Sequence, residues 1–229
     1  GKMSEATTCY NQLAMNDRAG ERARVQALVD MSVYLYNSGK TDEEIAYART
    51  AFERAKQGEL RRLAGFRLGD LLSASAQTIG EADKVIKGLV RDYPDDPASI
   101  KAYLKLADAY LHVKRPERAA AEYQMFLEAY PEQSLNERAL QARAWALFQL
   151  GRYTEAVGLF QRVAEQTTNP VIRAECRFKQ GDALLADQRF EDAAKVYRTL
   201  AETQPESEFA GRALYQGAEC LERAGAGAL

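Results

Sequence analysis

The chain has 229 residues, 46% of them hydrophobic and 28% charged, with a formal net charge of -2. This balance suits a chain that buries a core. It excludes a nucleic-acid binder held by a broad basic field, and equally an acidic solvating tail. No stretch is long and apolar enough to span a bilayer, so any membrane association is expected to be indirect.

Residue 1 is Gly rather than Met, which reads as the mark of a trimmed or excised piece. The lack of a charged-then-apolar leader therefore says little about compartment. The three cysteines are Cys9, Cys176 and Cys220, with no CxxC spacing. An odd number without such spacing argues against a disulfide framework or a zinc site. Cys176 and Cys220 lie among apolar helical positions and are expected to act as small buried hydrophobes.

In chain order, residues 1–24 are expected to hold one helix, Ser4 to Met15. Five helix–turn–helix units then start near Val25, Arg62, Ile100, Glu137 and Ala174, and a last helix runs from Glu208 to about Ala224. The unit from Val25 keeps Gly39 at its turn, and Thr41-Asp42-Glu43-Glu44 reads as a capping box opening its second helix. The unit from Arg62 keeps Gly69 and Ala82 with one extra residue in its turn. From Ile100 the pattern is clearest. Tyr103, Ala107, Tyr110, Ala119, Tyr123, Phe126 and Pro131 mark one copy. Leu140, Ala144, Leu147 and Leu150 share one helix face in the next, followed by the turn Gly151-Arg152-Tyr153-Thr154 and then Ala156, Phe160 and Val163. Gly181, Leu184, Phe190, Ala193, Tyr197, Leu200 and Pro205 repeat the scheme.

The boundaries repeat too. Pro94 and Pro131 are 37 residues apart, and Pro131 and Pro205 are two such steps apart. The copy between them reads Asn169-Pro170. Four of the six prolines thus punctuate a boundary, where a residue that cannot continue a helix belongs.

The recurring order of small residue, large residue, turn, aromatic, Ala, aromatic and Pro resembles the tetratricopeptide repeat. The resemblance implies an all-α, right-handed superhelical solenoid of antiparallel helix pairs over residues 1–229, without a sheet. The Tyr-Pro-acidic joints at Pro94 and Pro131, with Gln204-Pro205-Glu206-Ser207-Glu208-Phe209-Ala210, are similar to those of bacterial envelope members: outer-membrane assembly lipoproteins and the Tol–Pal-associated cell-division coordinator. A periplasmic or outer-membrane-associated setting is implied over a cytoplasmic one. The residues before Cys9 form no apolar run, so a lipid anchor there is not implied.

Catalytic chemistry finds little support. Ser38-Gly39-Lys40-Thr41 looks like the end of a phosphate loop, but the upstream Gly it needs would be residue 34, which is Tyr34. His112 is the single histidine, which excludes a two-His metal motif. Paired acids such as Asp95-Asp96 and Glu43-Glu44 sit at helix starts, where they complement the dipole. No enzyme activity, cofactor or metal is expected.

By the family's pattern, first helices line a concave surface. Its exposed positions map to Phe66, Leu104, Asp108, Leu111, His112, Gln141, Trp145, Phe148, Phe178, Asp182, Leu185 and Leu214. Lys101, Arg138 and Asp182 would tune specificity at the rim. Members that clamp a terminal carboxylate carry Lys where this chain has Leu104, Gln141 and Phe178, so no such clamp is implied. An apolar groove with aromatic anchors suits a protein or peptide segment. The expected function is an interaction scaffold, with no nucleic acid as partner. The alternatives are self-association through the terminal helices and a regulatory arm of a larger enzyme.

Overall fold

A computed structural model describes residues 2–36, 41–132 and 134–226. The expected turn at Gly39 and the Ser38-Gly39-Lys40 stretch lie outside the described residues, as does Gln133. Twelve helices and no strand occur among the described residues. The chain divides into two compact units, Gly1–Val113 and Lys114–Leu229.

The first unit holds α1 (Lys2–Ala14), α2 (Glu21–Tyr36), α3 (Thr41–Arg54), α4 (Gly58–Leu72), α5 (Ile79–Asp92) and α6 (Pro97–His112). Each helix packs on the next, and the alternate helices α2, α4 and α6 also touch. No single pair could bury its apolar stripe, so stacking is what makes the core continuous. Val25, Leu28, Ala51, Ala55 and Ala64 are buried together there, flanked by Tyr10, Tyr47, Phe52 and Leu60. Polar bonds fix the register. The Tyr47 hydroxyl donates to Asn11 Oδ1 at 2.7 Å, tying α3 to α1. Glu44, the last residue of the T-x-x-E pattern, is buried and takes the Arg67 guanidinium of α4. Arg67 also donates to the Ser32 carbonyl of α2 at 3.2 Å.

The second unit holds α7 (Pro116–Ala129), α8 (Asn136–Gln149), α9 (Tyr153–Gln166), α10 (Pro170–Ala186), α11 (Phe190–Thr203) and α12 (Ala210–Ala226), again each packed on the next. Its core is built from Phe126, Leu147, Phe160, Val163, Leu184, Tyr197 and Leu200.

Within each unit, consecutive helices are antiparallel and stacked in the expected tetratricopeptide manner. Their ends follow local chemistry. Asp96 and Asn169 cap α6 and α10, their side-chain oxygens accepting from the backbone N–H of Ala98 and Val171 at 2.8 and 2.9 Å. Pro97, Pro116 and Pro170 each open a helix. Pro170 therefore marks the boundary as the first residue of the next helix. The turns after α8 and α10 close alike, Arg152 N–H donating to Leu147 O at 3.0 Å and Arg189 N–H to Leu184 O at 2.9 Å. Each turn needs a left-handed residue. Gly151 supplies it at φ +72°, while Lys114 and Gln188, one 37-residue step before and after, adopt φ near +60°.

Candidate functional site

A partly open aromatic surface of the second unit lies between α8 and α10. The rings of Trp145 and Phe148, three positions apart on α8, stack nearly parallel at 9° with centroids 5.2 Å apart. Tyr153, at the start of α9, meets Phe148 edge-on at 5.4 Å. The Lys179 ammonium of α10 lies 4.5 Å from the Trp145 ring centroid, in cation–π contact. Trp145 nevertheless keeps 36% of its surface exposed. A cleft of about 390 Å³ opens beside it, lined by Arg138, Gln141, Ala142 and Trp145 of α8, Phe160 of α9, and Glu175 and Lys179 of α10. It combines an aromatic floor with two cations and one anion at its mouth. That chemistry suits an apolar side chain with a carboxylate beside it.

The sequence-derived residues divide by unit. In the second, Gln141, Phe148 and Leu185 are half-buried and Leu214 is exposed. Gln141 and Trp145 line the cleft together, and Phe148 supports Trp145 from behind. Phe178 corrects the expectation. It is only 3% exposed, buried against Tyr197 and Phe209 with the Arg212 guanidinium 4.6 Å from its ring. Asp182 is half-buried and accepts a 2.7 Å hydrogen bond from the Tyr197 hydroxyl. Burial raises its carboxyl above the usual carboxylate range, opposed by that bond and by the charges of Lys179 and Arg212. Asp182 therefore holds α11 to α10.

In the first unit, Phe66, Asp108 and Leu111 are half-buried and His112 is exposed at the end of α6. Leu104 is only 2% exposed, a second correction. Helix α6 buries Ser99, Ile100, Ala102, Tyr103, Leu104, Leu106, Ala107 and Tyr110, which is most of its circumference. An apolar residue on such a helix is core, whatever its repeat position. Lys101 is exposed.

Lys179 and Glu175 were missed as cleft residues. Lys179 directly follows Phe178 in sequence, and the shift of one residue turns it from the core onto the indole of Trp145. Among the described residues no group of His, Cys, Asp and Glu side chains is arranged to hold a metal ion. Among the described residues no helix is long and apolar enough to cross a membrane.

The tetratricopeptide repeat model matches residues 66–134, 133–170 and 178–229, more than half of the chain. No curated protein sequence matches it. Among solved structures, the chain is similar to a tetratricopeptide repeat protein from Parabacteroides merdae, at 15% identity and TM-score 0.59, covering 87% of this chain and 74% of that one. It is also similar to YrrB, a tetratricopeptide protein with an unusual peptide-binding site, at 16% identity and TM-score 0.55, covering 93% and 97%. A third is BtubC from P. vanneervenii, at 14% identity and TM-score 0.57, covering 90% and 89%. At these identities the likeness is one of fold. With the repeat model matched over most of its length and helix pairs stacked in both units, the chain belongs to the tetratricopeptide repeat family.

Proposed function

We propose that this chain is a non-catalytic protein-interaction module that takes an apolar, acid-flanked segment of a partner protein into the cleft beside Trp145. The observation that carries the reading is the Trp145–Phe148 stack, left partly open at the mouth of a cleft whose cations are Arg138 and Lys179. Exposed aromatic surface in a concave site is where binding energy concentrates. The family supports the class, since tetratricopeptide proteins generally mediate protein–protein contacts, and YrrB carries a peptide-binding site. Gln141 and Leu185 are proposed as further contacts in the second unit; Phe66, Asp108, Leu111 and His112 are proposed as contact residues of the first unit in its own right. A setting in a bacterial envelope complex is proposed on the Tyr-Pro-acidic joints, and fractionation of the native protein tests it.

The functional test is selection of binding peptides from a random library against the chain, followed by affinity measurement on the W145A/F148A variant. Trp145 and Phe148 are not fully buried, so circular dichroism should show the helices intact. Selected peptides should be rich in aromatic or branched apolar residues next to Asp or Glu, and should bind the variant at least ~30-fold more weakly, the loss of about 2 kcal/mol typical of a central anchor. Equal affinity for both proteins rejects the reading.

A further inference from the structure

Helix α8 serves a second cleft on its other side. Arg143 and Trp145 are two positions apart on it, so their side chains leave the helix about 200° apart. Arg143 lines a cleft of about 570 Å³ between α7, α8 and α9, together with Arg162 of α9. The repeat does not require an arginine there. One 37-residue step before Arg143 stands Leu106, and one step after it Gln180. Leu106 is fully buried, so the position turns inward, and a guanidinium placed on it is drawn out of water. The next copy of the cleft is about 280 Å³ and has Gln180 and Thr199 where this one has Arg143 and Arg162. The cleft beside Arg143 is thus both larger and more cationic than its repeat counterpart.

The carboxylates near Arg143 are engaged elsewhere. Its Nε is sealed from solvent and has no hydrogen-bond partner among the described residues. Burial pulls the guanidinium below the usual arginine range, and the charges acting on it are those of Glu155, Arg152 and Glu128. Glu155 is held by Arg152 at 2.6 and 2.7 Å, and Glu128 accepts from the Gln124 amide. A desolvated cation is best stabilised by a counter-ion brought to it in the same sheltered place. The walls select the anion. Leu127 and Leu140 offer apolar surface, which suits an aliphatic stem. Glu128 and Glu137 line the same cleft, so a group with two negative charges is opposed and a single carboxylate with a cation beside it is favoured.

We propose that this cleft is a second binding site, for a glutamate side chain of a partner protein. Arg143 and Arg162 hold its carboxylate, and Glu128 and Glu137 meet a neighbouring lysine or arginine of the same partner. The site is independent of the Trp145 cleft, because it lies on the other side of α8.

The test follows the Arg143 Nε–H signal in proton–nitrogen correlation spectra of the isotope-labelled full chain. R143Q identifies that signal by its loss. The variant should fold, since glutamine stands at this position one step later, and circular dichroism confirms it. The probes are acetyl-Lys-Glu-Lys-amide, acetyl-Lys-Gln-Lys-amide, glutarate and inorganic phosphate. The glutamate peptide should shift the signal saturably and bind at least ~10-fold more tightly than glutarate, because only the peptide brings cations to Glu128 and Glu137. The glutamine peptide should leave the signal in place. The backbone amides of Leu140 and Val163 should follow the same curve, and R143Q should abolish it. No saturable shift with the glutamate peptide, or an equal shift with the glutamine peptide, overturns the proposal. So does phosphate bound as tightly as the peptide, which would make this a general anion site. Glutarate bound as tightly also overturns it, because the occupant would then be a free acid.

Discussion

Two glycine-to-alanine changes in the second unit should move stability in opposite directions. Gly181 lies in α10 beneath Tyr197, and a β-carbon there would sit 2.5 to 2.8 Å from three atoms of the Tyr197 ring. The ring cannot swing aside. It is fully buried, packs on Phe178, and its hydroxyl is bonded to Asp182. Overpacking of this kind costs about 1–3 kcal/mol, and a fixed ring with three close contacts belongs near the upper end. Helix propensity returns about 1 kcal/mol to alanine. The net expectation for G181A is a loss of about 1–2 kcal/mol. Gly158 in α9 is exposed, with nothing within 4 Å of an added β-carbon. G158A therefore gains the propensity term alone, about 0.5–1 kcal/mol. Urea unfolding of the wild type and both variants gives the two differences directly. If G181A stabilises as much as G158A, the close packing of α10 on α11 is not as described.

Three further outcomes are expected. R67M leaves the Glu44 carboxylate buried without its cation and should cost about 3 kcal/mol, much of it recovered by pairing R67M with E44Q; additive losses in urea unfolding would contradict the pairing. Because burial raises the Asp182 carboxyl, the folded chain holds that proton to higher pH than the unfolded chain. This stabilisation is fully present below the ordinary carboxylate pKa and is lost as pH rises through the raised value. D182N keeps an acceptor for Tyr197, so its melting temperature should pull ahead of the wild type across that window; parallel profiles would contradict this. With Ellman's reagent at pH 8 the native chain should yield one fast thiol, the exposed Cys9. Cys176, pushed up to about 12 by burial and then by Glu175 and Glu137, and buried Cys220, also raised by burial, should react only after denaturation.

Much of the fold is legible in the sequence because helix ends and repeat joints are local chemistry. Pro94 and Pro131, 37 residues apart, fall between α5 and α6 and between α7 and α8, and Gly151 falls in the short turn between α8 and α9. Pro170 marks its boundary from the far side, as the first residue of α10, with its neighbour Asn169 as the cap. The site was less legible. A repeat position says which side of a helix a residue occupies, not what covers it. Leu104 is covered because α6 is buried nearly all round, and Phe178 because Phe209 and Arg212, more than thirty residues later, close over it. The Glu44–Arg67 pair joins residues 23 apart on different helices, and no periodicity marks it.

Trp145 is the single tryptophan of the chain, so it reports on its own cleft. The most direct measurement is its emission during titration with a peptide selected on the chain, with labelled-peptide anisotropy recorded in parallel. A blue shift that saturates at the same concentration as the anisotropy is the predicted result, because the bound segment removes water from an indole now 36% exposed. Saturating anisotropy with unchanged Trp145 emission would contradict the account, placing the interaction surface of this chain elsewhere.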